Sequence, residues 1–346
     1  MRHFATRRLP TNPIITPHMD ERMGSNINGP SLVRVPDWVA NPLGRYYLYF
    51  ADHNGSYIRM AYADEISGPW HMYTPGALQI ADSHFPLDDI EPPPEHLRLL
   101  VESSPHIASP DVHLDDERRV FRMYYHGIQR DRTQVTRLAT SPDGIHFTGR
   151  EEVFGPSYFR VFRYAGEESS PAISEESSPA ISGESSPAIS GESSPAISEE
   201  SSRARGWWYA LVMPGVFYRS RDGMTGFERG PKLFSNAMRH SAVMVEGHEL
   251  VVFYTNAGDT PERIFVARID LRGDWMAWQE SAAELLLEPE TAYEGIDCPL
   301  EPSVRGGINA RARQLRDPAI YREGDRTWLL YCVAGESGIA VAELSG

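Results

Sequence analysis

Cysteine is nearly absent: Cys298 and Cys332 are the two in 346 residues. That is too few for a disulfide framework, and without a secretory leader they read as reduced thiols. No apolar run approaches the ~18 residues that a membrane-spanning helix needs. Positive charge is also in short supply. There are 33 Lys and Arg against 48 Asp and Glu, a formal net charge of −15, which argues against a nucleic-acid surface or an anionic membrane as partner. Residues 1–10 carry arginines with no apolar core behind them, so they do not read as a signal peptide, and the cytoplasm is the expected compartment. The histidines form no HxH or HExxH pair, so the spacing supports no zinc site and no metal is expected from it. What the chain does have is 41% hydrophobic and 10% aromatic residues, enough to bury a sizeable core in one all-β domain spanning 1–346.

One stretch stands outside that domain's grammar. Residues 167–202 repeat an eight-residue unit: EESSPAIS twice, GESSPAIS twice, then EESS. A unit with one Ile and one Pro among small and charged residues cannot bury enough apolar surface to offset the entropy of ordering it. The reading is a low-complexity, disordered insert in the third blade described below. It holds eight glutamates and no base, so the rest of the chain carries −7. Deleting Glu167–Ser202 is expected to leave the melting temperature and any activity nearly unchanged. A clear drop in a thermal melt would overturn this.

With the insert set aside, a longer period appears. Tyr46–Phe50 is followed by Tyr57–Ala63 and then Ser67-Gly68-Pro69-Trp70. Val120–Tyr125 is followed by Thr136–Thr140, Ser141-Pro142-Asp143-Gly144 and Phe147. Trp207–Val212 is followed by Val216–Arg219, Ser220-Arg221-Asp222-Gly223 and Phe227. Leu250–Tyr254 is followed by Ile264–Ile269 and Trp275, and Trp328–Val333 by Gly338–Glu343. Each unit opens with a further apolar stretch: Ser31–Val35, Asp111–Leu114, Val161–Tyr164, Ala242–Val245 and Ala319–Arg322. Short strands rich in β-branched and aromatic residues, parted by Gly, Pro and Asp turns, predict antiparallel sheets. Five such units predict an all-β, five-bladed β-propeller. The last blade should have Ala319–Arg322 innermost and Gly338–Glu343 third, with a strand from before Asn28 as closing clasp.

These units resemble the five-bladed propellers of glycoside hydrolase families 32, 43, 62 and 130. The likeness rests on the strand–strand–SPDG or SGPW pattern, and on Asn28-Gly29-Pro30-Ser31, Ser109-Pro110-Asp111-Val112 and Arg316-Asp317-Pro318-Ala319 at the starts of innermost strands. The last is similar to the Arg-Asp-Pro signature of family 32. The resemblance implies a carbohydrate-handling pocket at one mouth of a central channel, and it allows a channel-bound calcium. No cofactor is otherwise expected. Two family-43 carboxylates are displaced: Asn28-Gly29-Pro30 stands where the base would be, and Ser157-Tyr158-Phe159-Arg160 where the acid would be.

In propellers of this kind the starts of first strands and the loops after second strands share a mouth. That rule gathers Asn28, Asp111, Arg160, His240 and Asp317, with Asp52, His53, His126, Asn256, Asp259 and Glu336. Glycoside hydrolysis ordinarily uses two carboxyl groups, and Asp111 and Asp317 are the best-placed pair. Arg316 beside Asp317 would keep it ionised, as suits a base or a stabiliser. The acid is sought among Glu294, Asp297 and Glu301, in a segment expected to order over the mouth, with Glu294 first. Asn28, Asp52, His53, His126, Arg160, His240 and Arg316 are candidate substrate contacts, and Trp38 a candidate sugar-stacking ring. Each has a plainer alternative: turn aspartates, solvated acids, core histidines, blade-packing tryptophans. The leading reading is a glycosidase acting on a small glycoside, such as a furanoside or pentoside. The alternatives are a glycoside phosphorylase, with Arg160, Arg163 and His240 on phosphate, and a non-catalytic sugar-binding propeller. The sugar, the linkage and the oligomeric state are not legible.

Overall fold

Turn chemistry sets the blade boundaries. After the third strand of the second blade, Ser141 Oγ accepts the N–H of Gly144 at 2.9 Å, while Asp143 Oδ1 accepts those of Ile145 and His146 at 2.8 and 2.9 Å. Ser220 and Asp222 repeat the arrangement in the third blade. Gly144 and Gly223 hold φ of +75° and +69° there. A Cβ on either would lie 2.8 Å from Phe121 or 2.7 Å from Trp208, so the turn and the ring behind it both require glycine.

The computed structural model describes residues 3–91, 104–166 and 206–346; the repeat insert at 167–202 lies outside the described residues. Among these, the chain forms a five-bladed β-propeller of antiparallel sheets with no α-helix. From the axis outward, the first blade holds Asn28–Arg34, Tyr46–Ala51, Tyr57–Ala63 and His71–Met72. The second holds Ile107–Asp115, Val120–Ile128, Gln134–Ser141 and Thr148–Gly149, and the third Arg160–Tyr164, Trp207–Val212, Val216–Ser220 and Glu228–Lys232. The fourth holds Met238–Glu246, Glu249–Asn256, Ile264–Asp270 and Glu284–Leu287. The fifth holds Arg316–Glu323, Arg326–Cys332 and Ile339–Ser345, with Ala5–Arg8 outermost.

The clasp forms where the sequence predicts it. Ala5–Arg8 runs antiparallel to Ile339–Ser345. The Asn12 side chain donates to the Val341 carbonyl at 2.8 Å and accepts its N–H at 2.9 Å, and Ile15 bridges to Ile339. The apolar core lies between blades rather than on the axis. A separate cluster fills each of the five blade-to-blade interfaces: Tyr49 and Phe121 in one, Leu211 and Val252 in another, Phe50 and Leu330 in a third. The apolar residues are used up between the blades, and the inner strands are left to carry polar groups into the channel.

Candidate active site

Four of the five inner strands share a defect at their starts. Pairing with the second strand slips between Asn28 and Ser31, Ala108 and Asp111, Met238 and Ser241, and Arg316 and Ala319. Two residues at each slip fall outside the ladder: Gly29-Pro30, Ser109-Pro110, Arg239-His240 and Asp317-Pro318. Gly29, Ser109 and Asp317 take φ of +60°, +50° and +44°, and Tyr158, just before the third blade's inner strand, takes +68°. Bulges of this kind re-aim side chains, and left-handed backbone at residues other than glycine marks positions held by their surroundings.

These residues and the return loops form one closed circuit around the mouth. The His53 and His106 rings stack at 6.4 Å, His106 meets His126 edge-on at 6.1 Å, and His126 stacks on Tyr158 at 4.7 Å. Tyr158 lies 5.2 Å from His240, whose Nε2 is 3.5 Å from Asp317 Oδ1. The negative charge of Glu336 acts on Asp317, and Glu336 Oε2 is 3.8 Å from His53 Nδ1. All five blades contribute. His126, His240, Asp317 and Glu336 are each 3% exposed or less.

Burial, then the charge of Glu336, pushes the Asp317 carboxyl up from its ordinary 3.8 to about 7. Three guanidinium groups oppose this, but none donates to Asp317, and both of its oxygens lack a hydrogen-bond partner. Arg239 donates to the Val304 and Gly306 carbonyls at 2.7 and 3.0 Å. Arg316 donates to Gln314 Oε1, the Gly306 carbonyl and Glu336 Oε1. Arg160 donates to the Ser241 and Pro110 carbonyls. The Asp317 N–H lies 3.3 Å from His240 Nδ1, making Nδ1 the acceptor; the 3.5 Å from Nε2 to the carboxylate is too long for a good hydrogen bond. Burial also works against ionisation of Glu336, but His53, Arg316 and the Asn26 amide outweigh it and hold its carboxyl below the usual range. The Asn26 and Arg316 contacts are 2.7 and 2.8 Å. Burial, with cationic neighbours, drives His126 and His240 well below 6.5, so both rings are neutral at pH 7.

The mouth is crossed by 304–309, not by the acidic 293–301 segment that the sequence predicts. Val304 and Gly306 take their hydrogen bonds from the buried arginines, and Asn26 Nδ2 donates to the Ile308 carbonyl at 3.0 Å. A Cβ on Gly307 would lie 2.5 Å from the His53 ring.

Other expectations require correction. Asp317 is not held ionised by Arg316, because adjacency in sequence does not aim that guanidinium at it. Asp111 does not pair with Asp317 in the circuit. Its Oδ2 accepts the Val161 N–H and His113 Nε2, both at 2.8 Å. Ser31, at the matching register position of the first blade, likewise accepts the Val112 N–H at 2.9 Å. Both side chains stitch one inner strand to the next. Although burial opposes it, His113, Arg160 and the Val161 bond keep Asp111 below the ordinary range. Asp111→Asn is therefore expected to cost about 1–2 kcal/mol in a denaturant melt.

Glu294 is fully buried elsewhere, on Arg8 and Tyr331. Trp38 lies in the connection after the first inner strand, at the other end from Asn28. There it packs edge-on against Phe121 and donates to Asp116 at 3.1 Å. Asp52 holds a turn and pairs with Arg59 at 3.1 Å. Asn28 is buried, its amide 3.4 Å from Asn26. Arg163 points away from the mouth, into a cavity of about 450 Å³ with Trp208 and Asp115, so the set Arg160, Arg163 and His240 is not gathered for phosphate. Cys298 and Cys332 are unpaired. Among the described residues no helix is long and apolar enough to cross a membrane, and no three His, Cys, Asp or Glu side chains converge to hold a metal ion. Glu336, which the return-loop rule gathers, belongs to the site. His106, Tyr158 and Asn26 belong to it as well, and that rule does not reach them.

No family model matches the chain. The uncharacterized protein R118 of Acanthamoeba polyphaga mimivirus is 31% identical over 369 aligned positions, covering 97% of this chain and 89% of that protein. Among solved structures, a family-43 β-xylosidase/α-arabinofuranosidase from a compost microbial metagenome superposes with a TM-score of 0.54 at 11% identity, over 99% of this chain and 96% of that one. A glycosyl hydrolase from Bacteroides ovatus gives 0.57 at 12%, over 99% and 94%. A member of family 130, whose mannoside phosphorylases include hydrolases of β-1,2-mannosidic linkages in Candida mannan, gives 0.56 at 13%, over 99% and 94%. These likenesses are of fold.

Proposed function

The chain belongs to the family of mimivirus protein R118, and we propose that it is a glycoside hydrolase acting on a small glycoside at the ringed mouth. The supporting observation is the pair of buried carboxyls whose surroundings drive their protonation apart: Asp317 up to about 7, Glu336 below its ordinary value. Two acids separated in this way divide the roles that glycoside cleavage requires. Asp317 gives its proton to the leaving oxygen as the C–O bond breaks. Glu336, ionised, faces the positive charge that develops on the sugar and assists the incoming water. The neutral rings of His126, Tyr158 and His240 offer apolar faces and polar edges to a sugar ring. His240 takes the N–H of Asp317 and so fixes the backbone from which the acid projects.

The fold shared with a β-xylosidase/α-arabinofuranosidase and with hydrolases of β-1,2-mannosides supports trying pentosides, furanosides and mannosides first. A screen of aryl glycosides and oligosaccharides of these classes, with and without inorganic phosphate, tests the reading. Release of free sugar without phosphate is the expected result. An absolute phosphate requirement would make the protein a phosphorylase, and saturable sugar binding without product would make it a binding propeller; either overturns the proposal.

A further inference from the structure

Beneath the mouth lies a buried ionic lattice. Glu262 is wholly buried on the loop between the second and third strands of the fourth blade. Its Oε1 accepts the Thr255 hydroxyl at 2.8 Å; its Oε2 is 3.5 Å from Arg239 and 3.4 Å from Arg316. Arg316 continues to Glu336 at 2.8 Å, while Arg160 stands 3.9 Å from Asp111 on the opposite wall. Asp317 is thus faced by Arg160 and Tyr158 from the third blade, Arg239 and His240 from the fourth, and Arg316, Cys332 and Glu336 from its own. Asp111, Glu262 and Glu336 face these three guanidinium groups, and Glu262 also acts on Arg305, which donates to the Asn236 carbonyl. None of the four donates to Asp317 among the described residues, and a buried carboxylate without a partner is costly enough that it takes up a proton instead.

We infer that Glu262 is a positioning residue of the candidate active site: by engaging Arg239 and Arg316 it keeps both guanidinium groups off the Asp317 carboxyl, which therefore remains a proton donor. The catalytic meaning of this rests on the glycosidase reading; the electrostatic part does not. Without the Glu262 charge positive charge is in surplus around Asp317, whose oxygens have no hydrogen-bond partner and on which both arginines act. The effect is selective, because the Glu262 carboxylate is engaged by Thr255, Arg239 and Arg316 and makes no hydrogen bond to Asp317.

The test is the pair Glu262→Gln and Arg239→Gln, with opposite expectations. In Glu262→Gln the alkaline limb of kcat/KM should move down by about one pH unit or more, the scale of an opposite charge near a carboxyl. Turnover at pH 7 should fall about tenfold in consequence. In Arg239→Gln, which removes a cation instead, the limb should move up. The same shifts should appear, substrate-free, in the infrared band of the protonated carboxyl that Asp317→Asn abolishes. That band separates the two ideas: if no glycoside is ever cleaved, it still reports where Asp317 titrates. A band and limb that stay at the wild-type position in both folded variants, even with a lowered melting temperature, would reduce Glu262 to a structural residue and overturn the inference.

Discussion

Asparagine in place of Asp317 is expected to give a protein that is more stable at pH 8 and nearly inert. The folded-state carboxyl titrates near 7, against an ordinary value of 3.8. Between those values the folded chain holds a proton that the unfolded chain releases, so stability falls as pH rises through this window. Below about 3.8 both states are protonated and nothing is lost. Above about 7 the loss is complete, and at about 1.4 kcal/mol per pH unit it is of the order of 4 kcal/mol. Asparagine stays neutral at every pH and escapes this loss. The variant should unfold at higher denaturant than wild type at pH 8, and the two curves should converge near pH 4. It cannot donate a proton, so turnover should fall about 10²- to 10⁴-fold. Wild-type kcat/KM should in turn decline about tenfold per pH unit above 7. Equal melts at pH 8, or an alkaline limb far from 7, would remove Asp317 as the protonated acid.

The blades were legible because their signals are local. A Ser-x-Asp-Gly turn carries its own hydrogen bonds, and a strand such as Tyr57–Ala63 carries its own composition, so third strands and turns fall where the sequence puts them. Apolarity alone starts the inner strands late: Ala319–Arg322 is the apolar part of Arg316–Glu323, and the two residues that bulge toward the channel precede it. Bulged residues follow neither alternation nor apolarity, so the pattern that finds the strand omits the part that builds the site. Electrostatics failed for a related reason. Arg316 neighbours Asp317 along the chain, yet its guanidinium is engaged by Gln314, Gly306 and Glu336. Asp111 and Ser31 show the same limit. Their common task of holding the next inner strand is set by matching bulge registers, which no tripeptide displays.

Glu294 is the residue at which a catalytic and a structural role predict opposite measurements. Its carboxylate accepts Arg8 Nε at 2.8 Å, the Tyr331 hydroxyl at 2.9 Å, and the N–H groups of Glu290 and Thr291 at 2.8 and 3.1 Å. Arg8 belongs to the closing strand and Tyr331 to the second strand of the same blade, so one buried side chain ties the clasp to the 290–294 turn and to the sheet. Glu294→Ala would leave the Arg8 Nε–H, a hydroxyl and two backbone donors without their acceptor. Removing one partner of a buried ion pair costs about 3–5 kcal/mol, and here the loss falls on the element that closes the ring. The melting temperature should drop sharply, with the N-terminal strand losing hydrogen-exchange protection first. Turnover per folded molecule should stay at the wild-type level, since every contact of Glu294 lies outside the circuit of His53, Tyr158, Asp317 and Glu336. A variant that kept its stability but lost turnover by orders of magnitude would restore Glu294 as the acid and displace Asp317 from that role.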